Sequence, residues 1–200
     1  MKHCYAFYLR HLLGFLGNPV DIHLGSEFRS HDQIWIEKSC VIKKGVIIDG
    51  RSVKKHGIRF GPECYIKENC YIDAYDGYIH LLGQIAIGQY SIIAGQGGVE
   101  IGKYTILGAH CYILSSNHKF TDLDIPYILQ GDIVAPVHIE QNVWIGGGCI
   151  ILPGVTIGRN SVIGAGSIVT TNIKPNSVYT DRSPRIIEGF LHRKTSYEDI

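Results

Sequence analysis

Residues 133–173 read IVAPVHIEQNVWIGGGCIILPGVTIGRNSVIGAGSIVTTNI, with an apolar side chain at every sixth position: Ile133, Ile139, Ile145, Ile151, Ile157, Ile163 and Val169. With 45% hydrophobic residues overall, seven successive hits have a chance probability of roughly 0.4%, so the stretch is a repeat. A period of six fits neither the 3.6 of a helix nor the simple alternation of a strand, whereas short strands punctuated by turns satisfy it. The fifth place of each unit is small or β-branched: Val137, Val143, Cys149, Val155, Ser161, Ser167 and Ile173. One large and one small inward side chain per unit, with Gly146, Gly158 and Gly164 following their isoleucines, describe a flat strand ending at a corner. Three such strands close one turn of a triangular prism, and the turns stack through backbone hydrogen bonds.

This pattern resembles the hexapeptide-repeat proteins with a left-handed parallel β-helix, in particular their acyltransferases. The resemblance runs from about residue 79 to 185 and is densest over 142–171. The handedness is implied by the resemblance alone. The expected organisation is all-β: an N-terminal cap over residues 1–33, a β-helix over 34–180 with an extended active-site loop at 114–132, and a C-terminal tail over 181–200.

At 200 residues the chain suits a single domain that buries about 70% of its unfolded surface. Lys plus Arg number 19 against 18 Asp plus Glu, and no basic run exceeds two residues. An electrostatic grip on nucleic acid or an anionic membrane is therefore not expected. No stretch has the 18 or more apolar residues of a membrane span, and the segment 5–16 is interrupted by Arg10 and His11. A cytoplasmic protein is the expectation. Of the 6 cysteines, Cys40, Cys64, Cys70, Cys111 and Cys149 fall four residues after Ile36, Phe60, Ile66, Leu107 and Ile145, on the small inward position. They read as core filler rather than a disulfide or metal framework, and free thiols agree with a reducing compartment.

Earlier in the chain the repeat starts at Ile36, Ile42 and Ile48. It resumes after a polar break at Phe60, Ile66 and Ile72, slips by three to Leu81, Ile87 and Ile93, and slips by two around Gln96–Gly98 to Ile101, Leu107 and Ile113. Before Ile36 no six-residue pattern is read; Tyr5, Tyr8, Leu12, Leu13 and Leu16 suggest a short helix or cap over the open edge of the first coil. Tyr65, Tyr71, Tyr75 and Tyr78 read as packing residues, one of which borders a sugar site. Slips mark corners where loops bulge outward, and the largest interruption follows Ile113.

That interruption opens with Ser115, Ser116, Asn117 and His118. The resemblance to sugar and xenobiotic O-acetyltransferases places the catalytic histidine at the strand-to-loop handover, here His118. An imidazole suits a general base because its unperturbed pKa, about 6.5, lies near operating pH. Asp122, Asp124 or a backbone carbonyl is left to orient its ring. The same resemblance assigns Trp144, Gly146, Gly147, Ala165, Thr170 and Thr171 to an acetyl-CoA channel and Arg185 to the nucleotide phosphates. The glycines are equally explained as corner turns. Tyr90, Asn117 and Asp122 are the candidate acceptor contacts. The chain departs from the family at residues 181–185, Asp-Arg-Ser-Pro-Arg in place of Gly-x-Pro-Ala-Lys/Arg. It departs again at Tyr90, where galactoside-type relatives carry an asparagine.

The expected function is acetyl-CoA-dependent O-acetylation of a sugar hydroxyl in surface polysaccharide biosynthesis, by a homotrimer in which His118 and Trp144 meet across an interface. N-acetylation of an amino sugar or nucleotide sugar, an antibiotic acceptor and a non-catalytic scaffold are the alternatives. A zinc enzyme is disfavoured because no two histidines are five apart, and no metal site is expected. A nucleotidyltransferase is disfavoured because no α/β nucleotide-binding domain precedes the repeats.

Overall fold

The computed structural model describes residue 9, residues 11–53 and 57–181, and the backbone alone of Arg185–Glu188. Within it the apolar register builds three sheets of 7, 9 and 7 strands, parallel except where Arg185–Glu188 turns back antiparallel on Ser177–Thr180, and they wind into a left-handed parallel β-helix of about 8 turns. Each coil contributes one strand of two to four residues to each sheet. Like residues stack on like: Leu16, Ile36, Phe60, Leu81, Ile101, Ile139 and Ile157 form one inward column of the first sheet. Ile42, Ile66, Ile87, Leu107, Ile145 and Ile163 line the second. Phe28, Ile48, Ile72, Ile93, Ile113, Ile151 and Val169 line the third. From Ile36 on, these side chains are almost fully buried, and each such burial contributes about 1.5–3 kcal/mol.

The small inward positions do more than fill space. Cys70 Sγ donates to the Gly88 carbonyl at 3.1 Å, Cys111 Sγ to Gly146 at 3.2 Å and Cys149 Sγ to Gly164 at 3.1 Å. Ser91 and Ser161 make equivalent bonds to Gly108 and Lys174 carbonyls. Where a corner carbonyl turns into the prism, a short donor at this place satisfies it, which is what Ser and Cys supply in these coils. Cys40, Cys64, Cys70, Cys111 and Cys149 are all buried; Cys4 lies outside the described residues.

Two sequence expectations are corrected. Residues 15–29, inside the expected cap, already form a coil, because Phe15–Leu16, Val20–Ile22 and Glu27–Arg29 pair in parallel with the next turn. Leu16, Ile22 and Phe28 are themselves six apart; the step of eight to Ile36 hides them. Tyr5 and Tyr8 lie outside the described residues. Ile133, counted as an inward residue, is instead 45% exposed, because it lies in the return strand of a hairpin; the inward pattern resumes at Val137 and Ile139. Among the described residues no helix is long and apolar enough to cross a membrane.

Candidate functional site

The corner between the third and first sheets carries the one long excursion, and a buried serine roots it. Ser115 Oγ donates to the Ala94 carbonyl at 2.7 Å and accepts from Gly97 N–H at 2.9 Å. The Ser115 carbonyl accepts from Ala135 N–H at 3.0 Å, closing the excursion at its base. Above this root, Ser116–His118 pairs antiparallel with Asp132–Val134, placing His118 opposite Asp132. Facing positions in an antiparallel pair bring side chains within contact range.

His118 Nδ1 lies 2.7 Å from Asp132 Oδ1, and Asp132 Oδ2 accepts from Gln96 Nε2 at 3.1 Å. Hydrogen bonding from Gln96 and then from His118 holds the Asp132 carboxyl below its ordinary value despite an opposing desolvation. An ionised carboxylate only accepts, so Nδ1 must carry a proton, and in the neutral ring the lone pair is then on Nε2. The imidazole is open, with 77% of its side chain exposed. A cleft of about 340 Å³ surrounds it, lined by Tyr75, Gln96, Ser116, Asn117, His118 and Asp132.

Asp132 and Gln96 were not singled out as site residues in the sequence, and neither Asp122 nor Asp124 orients the ring. Asp122 Oδ1 accepts from Asp124 N–H at 3.0 Å, and Gln130 Nε2 staples the Asp122 and Ile125 carbonyls at 2.7 Å each. Both aspartates therefore shape the tip of the arm. Asn117 turns its Oδ1 onto His118 N–H at 3.0 Å. Tyr75 is aimed from below by Asp73, a carboxylate only 3% exposed that accepts from Tyr75 N–H at 2.8 Å and Tyr71 O–H at 2.7 Å.

The other candidate residues lie elsewhere on the prism. Trp144 stands outward on the second sheet between Ile106 and Val162, 57% exposed. At the corner between second and third sheets, Asn69, Tyr90, His110, Gly148 and Gly166 all hold positive φ. Tyr90 and His110 stack there with centroids 5.1 Å apart. Below them the edge is bare: a side chain at Gly166 would meet nothing within 4 Å, and Gly147 would meet Ala109 carbonyl at 3.3 Å. Gly146 is different, since a Cβ there would stand 2.5 Å from Ala165 N; the corner turn itself requires that glycine. A cleft of about 430 Å³ runs beside Ala165, Gly166, Thr180 and Asp181, and the Asp181 carboxylate is occupied with Ile168 N–H at 2.9 Å. Thr170 and Thr171 are exposed at the same corner as the arm, further along the axis. The side chain of Arg185 lies outside the described residues, as does Arg182. Among the described residues no cluster of three or more His, Cys, Asp or Glu is arranged to hold a metal ion.

Comparison with known proteins adds to this geometry. Residues 136–171 match the family model described as bacterial transferase hexapeptide (six repeats). The chain is 30% identical over 195 residues to the putative lipopolysaccharide biosynthesis O-acetyl transferase WbbJ of Escherichia coli (strain K12), covering 94% of each chain. It is 27% identical over 164 residues to the probable acetyltransferase Rv3034c of Mycobacterium tuberculosis, covering 79% of this chain and 54% of that one. The chain spans about half the length of several curated relatives it matches. Among solved structures, AntD, an N-acyltransferase from Bacillus cereus, superposes with a TM-score of 0.67 at 17% identity, covering 92% of this chain and 87% of that one.

Proposed function

The chain belongs to the hexapeptide-repeat acyltransferases, and from that premise we propose that it is an acetyl-CoA-dependent O-acetyltransferase acting on a sugar hydroxyl, in the cytoplasm, during surface polysaccharide synthesis. The observation that carries the reading is the His118–Asp132 pair, which holds Nδ1 at the carboxylate and leaves Nε2 to act as the base toward an open cleft. An alcohol must lose its proton as it attacks, and an oriented base is the group that takes it. The similarity to the coli O-acetyl transferase supports the polysaccharide acceptor.

Acetyl-CoA supplies the thioester, an acyl group already activated for transfer. His118 Nε2 takes the acceptor hydroxyl proton as oxygen attacks, and returns it to the sulfur that leaves. Asp132 holds the ring and stabilises the imidazolium between those two events. Tyr75 and Asn117 line the acceptor side, the first as an apolar wall for a sugar face and the second through its side-chain amide. The open corner at Gly166, beside Gly147 and Ala165, fits a slender pantetheine arm, since a Cβ at Gly166 would fill open space.

These two places lie on different parts of one prism, so the complete site is formed between copies in a homotrimer. The arm exposes Phe120, Leu123, Tyr127, Ile128 and Leu129, while Ile106 and Trp144 are exposed on the second sheet, matching apolar surfaces for such an interface. Thiol release from acetyl-CoA across a panel of sugars and nucleotide sugars tests the reading. Turnover with a sugar acceptor that falls about a hundredfold or more in His118→Ala supports it; equal rates in the two proteins, or an active monomer in sedimentation, would end it.

A further inference from the structure

Gln96 sits in the two-residue slip that distinguishes its coil from its neighbours. The slip is a built feature: Gly98 N–H donates to the Gly95 carbonyl at 2.8 Å and Gly98 adopts φ 102°. Gly97 lies so close to the Ser115 carbonyl that any side chain there would collide with it. The turn is thus clamped to the same serine that roots the arm, and it delivers the Gln96 amide to the arm from an independent coil. Asp132 then receives two donors, one on each oxygen: Gln96 Nε2 at 3.1 Å and His118 Nδ1 at 2.7 Å.

We propose that Gln96 is a positioning residue: its amide fixes the Asp132 carboxylate, which in turn confines His118 to the Nδ1–H tautomer and one ring orientation. Without Gln96, Asp132 is an exposed aspartate on a two-stranded arm, free to rotate about χ1 and χ2. A carboxylate that rotates no longer selects between the imidazole tautomers. Gln96 touches neither acceptor nor thioester in this role, and its effect reaches the reaction through His118. The catalytic half of the proposal rests on the acetyl-transfer reading above; the tautomer half does not.

The test therefore has two readouts. In protein labelled with 15N-histidine, long-range proton–nitrogen spectra recorded at a pH where the ring is neutral report the tautomer directly, with His118 identified by its loss in His118→Ala. Wild type shows a single Nδ1–H species, and Gln96→Ala shows a mixture. In acetyl transfer, Gln96→Ala lowers kcat about five- to tenfold, the cost of losing one tautomer and a few rotamers, while KM for acetyl-CoA stays within twofold. Gln96→Glu is isosteric but places a second carboxylate on Asp132. Its kcat relative to wild type rises as pH falls and the new carboxyl regains a donor proton, whereas the Gln96→Ala ratio stays flat. A pure Nδ1–H tautomer in Gln96→Ala would overturn the proposal. So would equal, pH-independent losses in the two variants, which mark mere damage to the turn. A wild-type enzyme without thioester turnover overturns the proposed function instead, and the spectra still decide the role of Gln96.

Discussion

Replacing Asp132 by alanine separates holding the base from being the base. With the carboxylate gone, the His118 side chain chooses among three χ1 wells, two ring orientations and two tautomers, about a dozen states of which one presents Nε2 correctly. If these were equally populated the loss would be about tenfold. The backbone pairing of His118 with Asp132 survives the substitution and disfavours some rotamers, which lowers that figure. Loss of imidazolium stabilisation raises it, though by at most a few-fold, because 77% of the imidazole and 33% of the carboxylate side chain face solvent. The expectation is a 5–50-fold fall in kcat, against a hundredfold or more for His118→Ala, with KM for acetyl-CoA unchanged. Thiol release at saturating acetyl-CoA measures it, with circular dichroism confirming that the β-helix is intact. Retention of more than half the wild-type kcat would refute the orienting role.

Three further outcomes follow from the same structure. Gly146→Ala should cost about 3 kcal/mol of stability, because its Cβ would press on Ala165 backbone. Gly166→Ala, with open space at φ 75°, should cost about 1 kcal/mol; thermal melts giving the reverse order would contradict the corner geometry. Burial pushes the Cys70 thiol up to about 11 and raises Cys111 and Cys149. A thiol reagent at pH 8 should therefore leave their peptides unlabelled until denaturant is added. The Asp132 carboxyl is depressed below 3.8 in the folded protein, so its contribution to the arm is complete above that pH and is lost as pH falls through the lower folded value. Exchange protection of Lys119 N–H, bonded to the Gly131 carbonyl, should hold at mildly acidic pH and fall as the Asp132 carboxyl is protonated below its ordinary value; protection that stays constant down to the acid limit of the folded protein would count against the linkage.

The prism was legible because its core is written in local arithmetic: an isoleucine every six residues fixes which side chains point inward, and the stacked register follows. That arithmetic failed in two places for one reason. Ile133 matched the period by coincidence while lying on a hairpin, and Leu16, Ile22 and Phe28 kept the period but were separated from Ile36 by eight residues. A count of spacing does not register the geometry of an insertion. His118 was singled out through resemblance and through its place at the handover from strand to loop, and the structure sets it against a carboxylate there. Its partners were not legible, because Asp132 reaches it by the pairing register of the arm, 14 residues on, and Gln96 reaches Asp132 across 36 residues. The slip at Gln96–Gly98 did mark the place, without indicating which side chain would use it. Trp144 is expected to meet His118 only across an interface between copies, and within one chain the two stand on different parts of the prism.

The hydrogen bond from Ala135 N–H to the Ser115 carbonyl gives the arm a single doorway: the chain leaves the coil and re-enters it at one point, so the strands on either side stack as if nothing lay between them. Such an insertion can be spliced. Doubling the length of a loop anchored this way costs only about 0.6 kcal/mol, so arms of other sizes and compositions can be exchanged without renegotiating the core. The chemistry of the arm and the stability of the scaffold then become separately inheritable traits, one carried by the appendage and the other by the column of isoleucines beneath it.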